Sequence, residues 1–476
     1  CIRDSAWDAQ FIEGDFDQTD NVAGSGGRLR DGEIVFVSSS SLQDRLNYAK
    51  FGNDIFVSNS LSAIFAATGA RVDPTTDEYR SILGSVTLGL DAYNDRIPTS
   101  MGDVRLLYYE NLAWNGAKLV VKNKPRIERD FSTFDAYYQF MQSTMNVVVA
   151  NAQSPDRTVA IEPLVSLSTG YDSPTVAVWA AKAGVRNAVT FLSDRDGKDD
   201  SGRRIGEKLG FSVDVVDRDH WRSGDYPEVD CIAGSGAAGE VAFASMGERL
   251  NGKLLLSGFW GGAVWNYGRK DERPVFSGHD GSGLSLTELR LRMGFVNCCA
   301  PEWGGIQVGD IAKISQSDDL APWRVPSVYN RPICRRVVES EGVPREWIGQ
   351  SKHGASDQLL TAANFLTDKS ASEFWHWLTD NDEQWRGSAH RPPSIRAGKT
   401  IDYAIVNFLT PLVRRLVIPT FRRITRLPGF RSQGTQLGRF RRSFNEFLQK
   451  PLHYRRYVYP WALEKSAAKY QLMEGE

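Results

Sequence analysis

The chain has 476 residues, a formal net charge of −1, and 41% hydrophobic and 24% charged residues. That length holds two or three domains with substantial cores, and the composition is that of an ordinary globular protein. Near-neutral charge argues against a bulk electrostatic partner, and five cysteines without paired spacing argue against a disulfide framework or a zinc knuckle. Cys298-Cys299 is expected to be a pair of buried thiols. No apolar run reaches the roughly 18 residues that cross a bilayer, and no secretory leader is visible, so the chain reads as cytoplasmic.

Taken in chain order, Cys1-Ile2-Arg3-Asp4-Ser5 resembles a translated sequencing adapter at a truncated start, and is expected to lie outside the fold. From position 6 to about 126 short β-branched or aromatic runs predominate, including Glu33-Ile34-Val35-Phe36-Val37 and Asp54-Ile55-Phe56-Val57-Ser58. Ser60 caps a helix through Ala67, and runs at 103–109 and 118–121 close a β-rich domain at 1–128. Phe134, Tyr138, Met141 and Met145 recur at helical spacing within 130–155. Strands near 163–168, 188–193, 212–216 and 253–257 then alternate with helices. Together these predict an α/β chain whose second domain, 129–390, is built on a parallel sheet covered on both faces. Ligands of such sheets sit beyond the carboxyl ends of the strands.

At one of those ends lies Leu164-Val165-Ser166-Leu167-Ser168-Thr169-Gly170-Tyr171-Asp172-Ser173, read as strand, tight small-residue loop and helix start. Backbone N–H groups and a helix N-terminus suit a phosphate. Asp172 is the odd member, because a carboxylate beside phosphate is repelled unless a cation sits between them, which points to Mg²⁺ bridging Asp172 to a polyphosphate. The plainer alternative is a capped α/β turn with Asp172 at the helix start. Further along, Phe374-Trp375-His376-Trp377 falls on a helix with a core contact, and Arg391-Pro392-Pro393 marks a linker. The last stretch, 391–476, reads as a helical, basic extension. Its arginines and lysine at 414–456 form either a solvated face or a surface for an anionic partner.

Ser168-Thr169-Gly170-Tyr171-Asp172-Ser173 resembles the S-G-G-x-D-S pyrophosphate loop of the N-type ATP pyrophosphatases, and most closely that of the asparagine synthetase family; Thr169 departs at the first glycine. Four further stretches are similar in the same order. They are Val189 to Asp194 with Asp199-Asp200-Ser201 and the 205–210 helix, Lys253-Leu254-Leu255-Leu256-Ser257-Gly258, Trp323-Arg324-Val325-Pro326, and Gly342-Val343-Pro344-Arg345 with Lys352. The resemblance implies a sheet of the adenine nucleotide alpha hydrolase type, behind a degenerate or truncated glutaminase-like domain. It implies ATP with its adenine near Leu167 and Phe191, and its phosphates over Ser168, Gly170, Tyr171, Asp172 and Ser173. Ser257 and Gly258 would line the other side, Asp172 would hold Mg²⁺, and Lys352 would be the catalytic lysine. The implied reaction adenylates a small-molecule or peptide carboxylate, releases pyrophosphate and passes the acyl group to an amine or ammonia.

The family continues L-S-G with an acidic pair, whereas this chain has Phe259-Trp260-Gly261-Gly262-Ala263-Val264-Trp265-Asn266, with no carboxylate. Asp199, Asp200 or an acid from 271–280 is then the substitute metal ligand, or the site is altered. Phe259 and Trp260 either line a larger acyl pocket or pack a helix. Cys1 lacks the glycine and the later signatures of a glutaminase, so glutamine use is not expected. Three readings stay open: an amide-forming adenylating enzyme, including relatives of β-lactam synthetases and lasso-peptide cyclases; a nucleic-acid-modifying enzyme with the same loop; and a nucleotide-binding protein without turnover.

Overall fold

Short β-branched runs separated by Gly, Asn and Ser pair with near neighbours along the chain, which produces antiparallel ladders through the first quarter of the molecule. The structure, a computed structural model, describes residues 2–73, 79–224, 227–269, 275–278, 281–351, 356, 366–381 and 457–472. One antiparallel sheet contains β1 (Ile2–Trp7), β2 (Val22–Arg30), β3 (Glu33–Val37), β8 (Asn111–Trp114) and β9 (Leu119–Lys122) in that order. The other runs β5 (Asp54–Ser58), β4 (Leu46–Phe51), β7 (Gly102–Leu107), β6 (Arg96–Thr99). Leu46, Leu107 and Leu112 pack between them with Phe36, Tyr48 and Val57. Helix α1 (Leu61–Thr68) opens on Ser60, whose hydroxyl accepts from the Ala63 N–H, and ends on Gly69 in the left-handed region. A second short helix, α2, spans Tyr79–Gly84.

Residues 2–5 were expected to lie outside the fold, and the structure corrects this. Ile2–Trp7 is an edge strand paired along β2, and Asp4 accepts from the Ser25 N–H and hydroxyl.

Helix α3 (Phe134–Ala152), capped by Thr133, buries Tyr137, Met141, Met145 and Val148 and leads into the second unit. There β10 (Glu162–Leu167), β11 (Asn187–Phe191), β12 (Ser212–Val216), β13 (Lys253–Ser257) and β14 (Val296–Cys299) form a wholly parallel sheet ordered β12-β11-β10-β13-β14. Both faces are covered. Leu254 and Leu256 lie in one core cluster and Leu255 in the other, which is why the strand is apolar at successive positions. Helices α3 and α4 (Asp172–Lys182) cover the first face; α6 (Pro227–Ser235) and α8 (Leu286–Met293) cover the second.

The fifth strand, β14, was absent from the sequence reading because four residues, Val-Asn-Cys-Cys, carry neither alternation nor length. Cys298 and Cys299 lie on it, both buried with free thiols whose titration burial pushes up. Of the helical extension expected over 391–476, residues 457–472 are described. Over Val458–Leu472, helix α12 buries Val458, Trp461, Ala462 and Leu463 against α1 and α6, so this stretch belongs to the core. Phe374, in the helix Asp368–Asp380, packs at a tilt against Trp461 with ring centroids 5.3 Å apart. No helix of the described residues is long and apolar enough to cross a membrane.

The two units are joined by buried carboxyl groups and a buried guanidinium. Segment 38–45 enters the α/β unit, where Glu302 accepts from the Ser41 hydroxyl (2.5 Å) and the Leu42 N–H. Burial pushes the Glu302 carboxyl up to about 7. Glu288 of α8 accepts from the Ser60 hydroxyl and the Leu61 N–H at the start of α1. Arg290, fully buried, donates to Asp44 at 2.6 Å and to Asp4 at 2.7 Å. Burial opposes its charge, but the two carboxylates outweigh that and hold it protonated. Removing one partner of such a pair strands the other in low dielectric. Arg290→Met is therefore expected to cost about 3–5 kcal/mol in denaturant unfolding, with much of the loss recovered in Arg290→Met/Asp44→Leu. A single variant as stable as the parent would show that the ion does not hold the units together.

Candidate functional site

In the parallel sheet the chain turns in opposite directions from β10 and β13, so the crevice between their carboxyl ends is the topological switch point. Residues 168–171 follow β10 at that point and α4 begins at Asp172. Residues 258–260 follow β13 and lead into the short helix α7 (Gly261–Val264). The two turns touch. A Cβ on Gly258 would lie 2.5 Å from the Ser173 nitrogen, and one on Gly261 would lie 2.5 Å from the Asp172 carboxylate. Only glycine lets the β13 turn approach the start of α4 this closely.

The loop is held by its own hydroxyls and by its neighbours. The Ser168 and Ser173 hydroxyls lie 2.9 Å apart, and the Gly170 N–H donates to Ser168 Oγ. The Thr169 N–H and hydroxyl both donate to Asp200 Oδ1, at 3.1 and 2.5 Å. The Thr169 hydroxyl thus gives the Asp200 carboxylate a second donor. Gly349, at φ 61°, donates its N–H to the Thr169 carbonyl, and a Cβ there would meet the Tyr171 ring at 2.1 Å.

Asp172 forms an ion pair with Arg331, which lies just before α10 (Pro332–Glu339). The guanidinium is buried and sits beside the rings of Tyr329 and Tyr171, 5.1 and 5.9 Å from their centroids. Burial works against its charge, and the attraction of Asp172 overrides it. One helical turn on, Arg335 donates to the Tyr171 hydroxyl at 3.0 Å and pairs with Glu339. A Cβ on Gly262 would lie 2.5 Å from Arg331 Nη2. Gly261 and Gly262 therefore form the wall against which the Asp172–Arg331 pair rests, in a stretch, 259–266, that has no carboxylate.

The sequence-derived residues fall into groups. Ser168, Gly170, Asp172, Ser173 and Gly258 come together at the crevice. The side chains of Leu167, Tyr171 and Ser257 are buried and turned into the protein, so they support the site from beneath. Ser257, for instance, sends its hydroxyl to Asn297 Oδ1 on β14. Phe191, at the end of β11, is half-buried and meets Phe243 edge-on at 5.6 Å; Phe243 in turn packs on Phe259 at 5.6 Å. Trp260 is a core residue, buried in a left-handed conformation (φ 63°), with its indole N–H donating to the Ser282 carbonyl. Lys352, the acids Asp271, Glu272 and Asp280, and the basic segment 414–456 lie outside the described residues. Gly349 and Ser356 flank Lys352 in the chain; Ser356 donates to Glu240 at 2.6 Å.

Sequence reasoning missed Arg331 and Arg335. The available signal was an arginine pair four residues apart opening an apolar, Pro-initiated helix, which alone does not point to any loop.

Among the described residues, the donors at the crevice do not form a set that would hold a divalent ion, and no three carboxylate, imidazole or thiol groups gather to bind a metal. Asp172 is engaged by Arg331, Asp200 by Thr169, and 259–266 brings no carboxylate.

The chain matches no protein-family model and no curated protein.

Because the added methyl would meet backbone, Gly258→Ala should destabilise by about 1–3 kcal/mol. Gly281→Ala, which meets nothing within 4 Å, should be near neutral in the same denaturant titration. Equal effects from the two would contradict the close packing of the two turns.

Proposed function

We propose that the parallel α/β unit is a nucleotide-binding domain whose phosphate site is the 168–173 loop. More narrowly, we infer that the chain is an asparagine synthetase-like, AMP-forming carbon–nitrogen ligase on an adenine nucleotide alpha hydrolase-type sheet. The observation that carries this reading is the place of the loop. A motif similar to the pyrophosphate loop sits at the switch point of a parallel sheet, with the L-L-S-G strand beside it and the glycines of the next turn pressed onto its helix start. Five similar motifs in one order along the chain add weight, as does the Gly349 contact to the Thr169 carbonyl three residues before Lys352.

In this mechanism ATP is a substrate. Its phosphates lie at the Ser168 and Ser173 hydroxyls and the start of α4, and its base lies toward Phe191. A carboxylate oxygen of the acyl substrate bonds to the α-phosphorus while the bond from that phosphorus to the bridging oxygen breaks, and pyrophosphate leaves. An amine or ammonia then attacks the acyl carbon, AMP departs with the former carboxylate oxygen, and the nitrogen loses a proton. Alignment and charge stabilisation dominate such steps. Lys352 supplies a compact charge that follows the developing negative charge. Phe259, at the edge of the Phe191–Phe243 group, gives the acyl side an aromatic wall.

A second reading, nucleotide binding without turnover, is favoured by the carboxylate-free 259–266 stretch. Phosphorus NMR of the protein with ATP, a pool of candidate carboxylates and ammonium separates the two. The ligase reading expects AMP and pyrophosphate in equal amounts; ADP and phosphate would overturn it, and unchanged ATP with measurable binding would favour the second reading. Lys352→Ala should leave ATP affinity nearly unchanged and slow AMP formation by roughly two to three orders of magnitude. An equal loss of binding and rate would give Lys352 a ground-state role.

A further inference from the structure

A carboxylate at a phosphate-binding helix start is repulsive to the ligand unless a cation neutralises it. At Asp172 the chain supplies that cation itself. Arg331 reaches the carboxylate from the segment before α10, is buried beside the packed rings of Tyr171 and Tyr329, and is held charged by the pair. Gly261 and Gly262 leave room for the pair where any side chain would collide with Asp172 or with the guanidinium. The absence of an acidic pair and the presence of Arg331 are thus two sides of one arrangement: the protein holds a fixed guanidinium where two more carboxylates would hold a metal.

We propose that Arg331 is a charge-neutralising positioning residue at the 168–173 loop, and that phosphates bind there without a divalent ion held by the protein. This rests on the phosphate reading of the loop. An arginine stays protonated at any working pH, so the neutralisation is permanent and does not depend on metal supply. Any divalent ion that arrives on ATP comes as part of the substrate.

Inorganic pyrophosphate is the probe, with binding measured by calorimetry on the full chain in magnesium buffer and again in excess EDTA. The expected result is affinities within about threefold of each other. Arg331→Met keeps the apolar stem but exposes the ligand to an uncompensated Asp172; in EDTA it should bind at least roughly tenfold more weakly, the cost of one charge-assisted contact. Arg331→Met/Asp172→Asn removes both charges, leaves no buried ion behind, and should regain most of the affinity, an outcome that a purely structural Arg331 would not give. Wild-type binding only in magnesium would overturn the inference while leaving the phosphate site in place. Arg331→Met binding like wild type in EDTA, or a folded double variant as weak as the single, would overturn it as well. No binding under either condition would remove the phosphate reading itself, and this inference with it.

Discussion

A negative charge at the start of α4 sets the terms for the whole crevice. Asp172 stands where the helix offers positive potential and N–H groups, so left alone it would repel the phosphates proposed to bind there. The Arg331 guanidinium cancels that charge, and its burial beside the Tyr171 and Tyr329 rings makes the cancellation firm rather than screened by water. Several otherwise separate features then follow from one demand. Gly261 and Gly262 are small because the pair lies against them; Tyr171 is buried because α10 must close over it; Arg335 and Glu339 extend the same charged row one turn further. A second carboxylate, Asp200, is likewise compensated locally, by the N–H and hydroxyl of Thr169.

The same economy of buried charge joins the antiparallel sheets to the parallel one. Glu288, Arg290 and Glu302 leave the α/β unit to cap a helix, bind two aspartates and hold segment 38–45. Such contacts are poor sources of net stability, because desolvation consumes most of the attraction, but they fix register and orientation where apolar packing alone tolerates sliding. The β-rich unit is in this way positioned against the edge of the parallel sheet, with Ser39, Ser40 and Ser41 lining a small pocket beside Cys298, Cys299 and Glu302.

Much of this was legible in the sequence wherever one local pattern decides the outcome. The alternation of apolar runs with helices marked the parallel sheet, and β10 to β13 fall close to where the runs place them. Ser60 and the apolar spacing of α3 likewise announced their helices. The loop at 168–173 was visible because strand, small residues and helix start are contiguous. What stayed hidden depends on residues distant in the chain. Arg331 is 159 positions beyond Asp172 (331 − 172), and nothing local distinguishes it from any arginine before a Pro-initiated helix. The segment 38–45 looks like a polar surface loop, yet it is buried: Ser41 donates to Glu302, 261 residues later, and Asp44 accepts from Arg290, 246 residues later. Strand β14 is too short to carry a period, and residues 2–5 took on their role only through pairing with β2.

The central claim is that a nucleotide's phosphates settle on the 168–173 loop between the ends of β10 and β13. Hydrogen exchange followed by mass spectrometry, with and without saturating ATP, measures this without knowledge of the acyl substrate. The account predicts slowed exchange in peptides covering 168–175 and 258–262, with the antiparallel sheets unchanged. Protection confined to other segments, or none at saturating ATP, would contradict it.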